Sequence, residues 1–174
     1  MSNFREIVTK AVIGKAKKTS GGVYSVDTEE KANTVLGCWV INHGFNGVNN
    51  NGSVLVNGAF DVNVWYSYDN DTKTAVCTRR FTYNDKMNVP LKHDTVLDNN
   101  SEIIVRSLKQ PTVTNVDIKN GLVELSIEKE LGVEVVGNTK VKVSVEDFED
   151  DYEELLDDDI DSEIESLNDD YLNN

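Results

Sequence analysis

Strict alternation of side-chain type over Ser53–Ser67 constrains the fold of this chain more than any other feature of the sequence. An extended strand points successive side chains to opposite faces, so a period of two is typical of a half-buried β-strand. Every second residue of this segment belongs to a mixed polar and apolar set, which is typical of the more exposed face of a strand. The positions expected to face inward are Val54, Val56, Gly58, Phe60, Val62, Val64 and Tyr66.

Turn signals separate this strand from others of the same kind. Tyr68–Asp71 is a turn cluster between Ser53–Ser67 and a second alternating run, Thr72–Tyr83, which together predict a long β-hairpin. Asn120-Gly121 predicts the turn of another hairpin. Further strands are predicted at Glu6–Lys18 (with a short helix as the alternative), Val23–Val26, Val35–Asn42, Glu102–Leu108, Thr112–Ile118, Leu122–Val136 and Val141–Val145.

Three segments are interpreted as connections between these strands: His43–Asn51, Gln110-Pro111 and Gly137–Lys140. The whole pattern predicts an all-β fold, either an antiparallel β-sandwich or an open barrel of about eight strands. Such a fold has edge strands, and unpaired strand edges can pair with other chains.

Charge divides the chain into two regions. Of the 31 acidic residues, 15 lie in residues 146–174, where there is no Lys or Arg, and the other 16 are balanced by 17 bases. We therefore expect a near-neutral β domain over residues 1–145 and an acidic C-terminal tail over residues 146–174. Because nothing within the tail neutralises its carboxylates, it is expected to be disordered when free.

The tail also carries apolar residues at three- and four-residue spacing, which would form one stripe on a helix. This pattern predicts a segment that becomes helical against a basic or apolar partner, with a purely solubilising tail as the alternative. The predicted partner-binding residues are Phe148, Tyr152, Leu155, Leu156, Ile160, Ile164, Leu167 and Tyr171.

Several function classes lack support in the sequence. A polyanionic tail repels nucleic acid and anionic lipid, and no apolar run approaches the ~20 residues of a membrane span. Arg5 and Glu6 interrupt the apolar stretch that a secretion signal needs, so we expect synthesis in the cytosol with no membrane insertion. His43 and His93 have no metal-ligand spacing and are interpreted as exposed loop residues, so no metal or cofactor is predicted.

Enzyme activity is not predicted either, since the chain has no nucleophile or phosphate-loop motif. Asp61 and Asp85, with a tryptophan to stack a sugar, are the only pair considered for glycoside hydrolysis. Cys38 and Cys77 have no CxxC spacing, and they are candidates for a disulfide or cross-link, or simply for two buried thiols.

Five segments, which follow one another in the same order as in the family, resemble the spore coat protein E (CotE) family. The resemblance covers nearly the whole chain. They are Phe4–Val12, Leu36–His43, Gly58–Thr74, Gln110-Pro111 and Glu134–Val141, which leads into the acidic tail.

The resemblance implies a non-enzymatic morphogenetic scaffold of endospore-forming bacteria. It implies synthesis in the mother-cell cytoplasm, self-association around the forespore and a final place in the outer coat. The implied partners are further copies of the chain, basement and encasement proteins such as the stage IV sporulation protein A and the stage VI sporulation protein D, and outer-coat proteins recruited on top.

Aromatic residues dominate interface energetics, so Trp39, Phe45 and Trp65 are the candidate anchors for self-association, with core packing as the alternative for both tryptophans. A competing hypothesis is a monomeric carbohydrate- or ligand-binding β-sandwich that uses Trp65 and the loop His43–Asn51. The two hypotheses differ in stoichiometry, because only the scaffold requires oligomers.

Overall fold

Six long β-strands make up the part of the chain, residues 3–146, that the computed structural model describes. They form two antiparallel three-stranded sheets with the strand orders β1-β6-β5 and β2-β3-β4. The strands are β1 (Asn3–Val26), β2 (Thr34–Asn50), β3 (Ser53–Tyr68), β4 (Lys73–Met87), β5 (Glu102–Lys119) and β6 (Leu122–Val145).

The all-β class is confirmed, but the expected number of about eight strands is wrong. Gly21-Gly22, Gln110-Pro111 and Gly137–Lys140 are all extended, so three pairs of predicted strands merge into β1, β5 and β6. Pro111 is tolerated because β5 is an edge strand and its register with β6 shifts at this point. Glu6–Lys18 is strand rather than helix.

Two predicted turns are confirmed by their backbone angles. Asn120 and Gly121 have φ of 51° and 80°. Asn51 and Gly52, a turn that the sequence pattern did not predict, have φ of 50° and 89°. Two consecutive positive φ values are those of the type I′ turn, whose twist matches that of the strands it joins. Asp69–Asp71 also has positive φ throughout and links β3 to β4.

Alternation along β3 places one of its faces in the core, as predicted. Val56, Phe60, Val62 and Val64 are fully buried, and the residues between them are more exposed. Strand β6 alternates in the same way, and buried residues from both sheets form one hydrophobic cluster that includes Phe60 and Leu125. This cluster fixes which face of each sheet is exposed.

The chain divides into two compact units, one of which is Thr9–Thr139 and contains the hydrophobic cluster. The other combines residues 1–8 with residues 140–174, and its described part is residues 3–8 and 140–146. In that unit the Lys142 ammonium lies 5.0 Å above the ring centroid of Phe4. Residues 3–146 contain no helix with the length and apolar character needed to cross a membrane.

Candidate functional site

The exposed face of the β2-β3-β4 sheet carries both tryptophans of the chain. Gly37 pairs with Trp65 and Trp39 pairs with Asn63, so the two indoles are diagonal neighbours on adjacent strands. A Cβ on Gly37 would lie 3.5 Å from the Trp39 ring and 3.6 Å from the Trp65 ring, which places Gly37 between them. The tryptophans are 42% and 43% exposed, so core packing does not account for either.

Two aliphatic side chains extend this aromatic pair into a patch. Val76 pairs with Trp65 from β4 and is 57% exposed, and Ile41 follows Trp39 on the same face of β2. We call Trp39, Ile41, Trp65 and Val76 the tryptophan patch. A monomeric protein rarely exposes adjoining large apolar side chains, and such patches mark interaction sites.

The remainder of this face carries three charged side chains, Asp61, Arg80 and Lys86, among neutral ones. Next to the tryptophan patch, Asp61 pairs with Arg80, its carboxylate 3.1 Å from the guanidinium. Beyond that pair, Asn46, Asn57 and Asn84 lie side by side across the three strands. Because these asparagine side chains are short and neutral, another protein surface can approach this part of the sheet closely.

Phe45 does not belong to the tryptophan patch. The predicted loop His43–Asn51 is wrong, because β2 continues to Asn50. Phe45 is half-buried against the hydrophobic cluster, and its ring centroid lies 4.9 Å from that of His43. Its place in the fold is therefore that of a packing residue.

A buried ion pair joins the two sheets. Lys129 on β6 is 6% exposed, and its ammonium lies 3.1 Å from an Asp85 carboxylate oxygen on β4. The ammonium also donates to Ser20 Oγ at 2.9 Å and lies 3.9 Å from the ring centroid of Tyr83. Ser20 in turn donates to Asp85 at 3.3 Å. These contacts compensate a charge that would be costly to bury alone.

A β-bulge brings His43 to the same region. Ile41 pairs with Asp61 and Gly44 with Ala59, so two residues of β2 lie opposite Phe60, and Asn42 has a φ of 56°. The interpretation of His43 as an exposed loop residue is wrong. It is a half-buried strand residue with ring contacts to Phe45, Phe60 and Tyr83.

Hydrogen bonds define the tautomer that this histidine adopts when neutral. His43 Nδ1 lies 3.1 Å from Gln110 Oε1, which can only accept, and His43 Nε2 lies 2.7 Å from the Tyr83 hydroxyl. We therefore assign the proton to Nδ1, with the Tyr83 hydroxyl donating to Nε2. Burial, opposed by the Gln110 hydrogen bond and aided by the nearby Lys129 charge, lowers the pKa of His43.

The same surroundings keep the tyrosines protonated. Burial, with a smaller contribution from the Asp85 charge, raises the pKa of Tyr83 to about 12 and also raises the pKa of Tyr24. A neutral histidine and neutral phenols around one compensated ion pair make a polar network that ties the sheets together. None of these groups is activated as a nucleophile or base.

The pair of carboxylates considered for glycoside hydrolysis is not brought together. Asp61 lies on the exposed face of β3 with Arg80 and Asn42, whereas Asp85 faces Lys129 on the other side of the same sheet. Two carboxylates on opposite faces of a sheet cannot flank one glycosidic bond. Within residues 3–146, no group of three or more His, Cys, Asp or Glu side chains is placed to hold a metal ion.

Cys38 and Cys77 are both free thiols, on strands that flank β3. Each pairs with Val64, so their backbones are two strand spacings, or about 9–10 Å, apart. A disulfide needs Cα atoms within about 7 Å, so this register excludes a bridge within one chain. A cross-link between chains stays a prediction.

Cys38 is expected to resist alkylation in the folded protein. Burial raises its pKa to about 11, so roughly one thiol in a thousand is ionised at pH 8. Peptide mass mapping of iodoacetamide labelling should show Cys38 reacting on the order of 100-fold more slowly in the native chain than in urea. Equal rates in the two states would contradict the half-buried position of this thiol.

The eight predicted partner-binding residues of the tail, Phe148 through Tyr171, lie outside the described residues. The boundary between a β domain at 1–145 and a tail at 146–174 stays a prediction for the same reason.

Sequence reasoning missed Lys129, Tyr83 and Gln110. One signal was present for Lys129, which falls in phase with the buried Val123, Leu125, Ile127, Leu131 and Val133 of β6. A lysine at an inward position of a strand implies a buried partner. The partner itself could not be found from sequence, because Asp85 lies on the other sheet.

Comparison with known proteins identifies a family. Residues 3–174 match the family described as outer spore coat protein E (CotE), which covers nearly the whole chain. No curated protein and no solved structure matches at the threshold applied.

Proposed function

The chain belongs to the outer spore coat protein E (CotE) family, a structural family of the outer layer of the spore coat, and we propose that it is a scaffold that self-assembles around the forespore. In this proposal it is made in the mother-cell cytoplasm, and residues 1–145 carry the contacts between copies. Residues 146–174 recruit basement, encasement and outer-coat proteins by charge and short apolar anchors.

The tryptophan patch is the observation that carries the proposal. Two tryptophans and two aliphatic side chains are exposed together on one sheet face of a unit whose hydrophobic cluster does not include them. Tryptophan is the residue most enriched among interface hot spots. A face of this composition favours burial against another protein surface.

Strand edges offer a second kind of contact. The sheet orders leave β1, β5, β2 and β4 at edges, and β2 and β5 have several register shifts. Such irregularities discourage the pairing of an edge with another chain. Strand β4 pairs with β3 over 15 consecutive residues without a shift, so it offers the more regular edge to a neighbouring copy.

We expect the double variant W39K/W65K to lose most self-association. Light scattering and sedimentation velocity over a range of concentrations should show oligomers of the wild-type chain. In the variant, association should be weaker by about 30-fold or more, as expected when hot-spot aromatics are removed. V96K is the matched control, because Val96 is 70% exposed in the connection between β4 and β5, away from the tryptophan patch.

Two outcomes would contradict the proposal in different ways. If W39K/W65K assembles as strongly as V96K, the contact between copies lies outside the tryptophan patch. A wild-type chain that stays monomeric at every concentration and binds glycan would reject the scaffold and support the ligand-binding module.

A further inference from the structure

A groove on the exposed face of the β1-β6-β5 sheet combines an apolar floor with basic walls. It has a volume of about 350 Å³ and lies where β6 carries a glycine on its exposed face. We call it the Leu108 groove, and its walls and floor include Lys15, Lys17, Arg106, Leu108, Gly132 and Glu134.

A β-bulge creates the apolar floor. Ser107 pairs with Leu131 and Lys109 with Glu130, so Leu108 is an extra residue on β5. Its side chain lies over Gly132, where an added Cβ would be 3.0 Å from Leu108 Cδ1. Leu108 stays 52% exposed in this position. The leucine is thus presented to solvent beside the bare backbone of a glycine.

The walls carry an excess of positive charge. Three bases meet one acid, and the ammonium of Lys15 is 3.9 Å from the carboxylate of Glu134. Within residues 3–146, neither Lys17 nor Arg106 has a carboxylate within the 4.0 Å of an ion pair. Two cations beside an apolar floor fit an occupant that is both acidic and apolar.

This chain contains such a segment. Residues 146–174 hold 15 acids and no base, interrupted by aromatic and aliphatic residues every three or four positions. We propose that the Leu108 groove binds the acidic tail of a second copy of this chain. One apolar residue of the tail packs on Leu108, and flanking carboxylates pair with Lys17 and Arg106.

The inference rests on the proposed function for its strength, because a single contact between acidic side chains and surface bases is weak. In an assembly, each groove faces many tails at high local concentration, and the repeated contacts add through avidity. A tail held in a groove is withheld from coat proteins, so recruitment would compete with this contact.

Binding is tested with a fluorescein-labelled peptide of residues 146–174 titrated with the full-length protein, followed by anisotropy. The variant K17E/R106E should weaken binding at least tenfold. The matched control K109E/K119E changes the same charge on the same sheet outside the groove, and should weaken binding less than threefold. A peptide with Leu155 and Leu156 replaced by serine keeps every acid and should bind several-fold more weakly.

Cross-linking identifies the copy that supplies the tail. A photoreactive benzoylphenylalanine at position 108 is used in a mixture of isotopically light and heavy full-length chains. Cross-links between position 108 and residues 146–174 that join light to heavy chains support the proposal. Cross-links found only within single chains would overturn the assignment to a second copy.

Other results reject the groove itself. Equal weakening by K17E/R106E and K109E/K119E would show general attraction between a polyanion and the protein, and absence of peptide binding would show no site. Neither result would contradict self-assembly through the tryptophan patch, because light scattering measures that assembly separately. Conversely, loss of assembly in W39K/W65K with peptide binding intact would separate the two surfaces.

Discussion

Replacing Lys129 with methionine is expected to lower the free energy of unfolding by about 3–5 kcal/mol. Methionine keeps the apolar stem but removes the charge, which leaves the Asp85 carboxylate facing the interior without its cation. Breaking a buried pair from one side is costly because the remaining charge has lost its compensation. Urea unfolding followed by circular dichroism at one fixed protein concentration measures the change, since assembly makes stability concentration-dependent.

Two further variants separate burial of charge from loss of an ion pair. Lys109 and Glu128 form an exposed pair at 3.5 Å on the same sheet, so K109M should cost less than about 1 kcal/mol. Replacing both charges in K129M/D85L should recover most of the loss, because two apolar side chains leave no uncompensated charge. A K129M variant as stable as K109M would show that solvent reaches Asp85.

Residues that follow a regular strand could be predicted from the sequence. The inward face of β3 was predicted correctly because every residue from Val54 to Tyr66 keeps the period of two. Turns at Asn120-Gly121 and Asp69–Asp71 were predictable because Asn, Asp and Gly tolerate positive φ. These features depend on neighbours in the chain, and a sequence shows such neighbours directly.

Bulges account for much of what the sequence did not reveal. One extra residue turns His43 inward on β2, against the alternation that places Trp39 and Ile41 outward, and another on β5 places Leu108 and Lys109 together on the exposed face. Pro111 was interpreted as separating two strands, yet it lies within β5 at the second of that strand's three shifts of register. A bulge is set by the pairing partner, so local periodicity cannot predict it.

The residues that share an exposed sheet face could not be predicted from local periodicity either. The tryptophan patch depends on the register of three strands, which places Trp65 between Gly37 and Val76. The sequence identified both tryptophans as candidates but could not decide between core and surface. That decision follows from which face of the β2-β3-β4 sheet packs against the hydrophobic cluster.

The variant G58A is expected to destabilise the chain by about 1–3 kcal/mol or more. Gly58 pairs directly with Tyr83, and a Cβ at position 58 would lie 2.2 Å from Tyr83 Cζ. Relief of that overlap requires the phenol ring to move, but the ring contacts the Lys129 ammonium and its hydroxyl bonds to His43. The cost therefore spreads into the polar network, and urea unfolding should detect it.

The expected cause of the lower stability of G58A is the overlap with the Tyr83 ring, rather than strain in the backbone at position 58. Gly58 is not among the glycines with positive φ, so alanine is compatible with its conformation. G44A is the matched control on the same sheet, because a Cβ on Gly44 meets no atom within 4 Å, and its effect should stay within about 0.5 kcal/mol. In a Y83A background, G58A should cost almost nothing. If G58A costs as much there as in the wild-type chain, the overlap with Tyr83 is not the cause, and strand backbone at position 58 must itself require glycine.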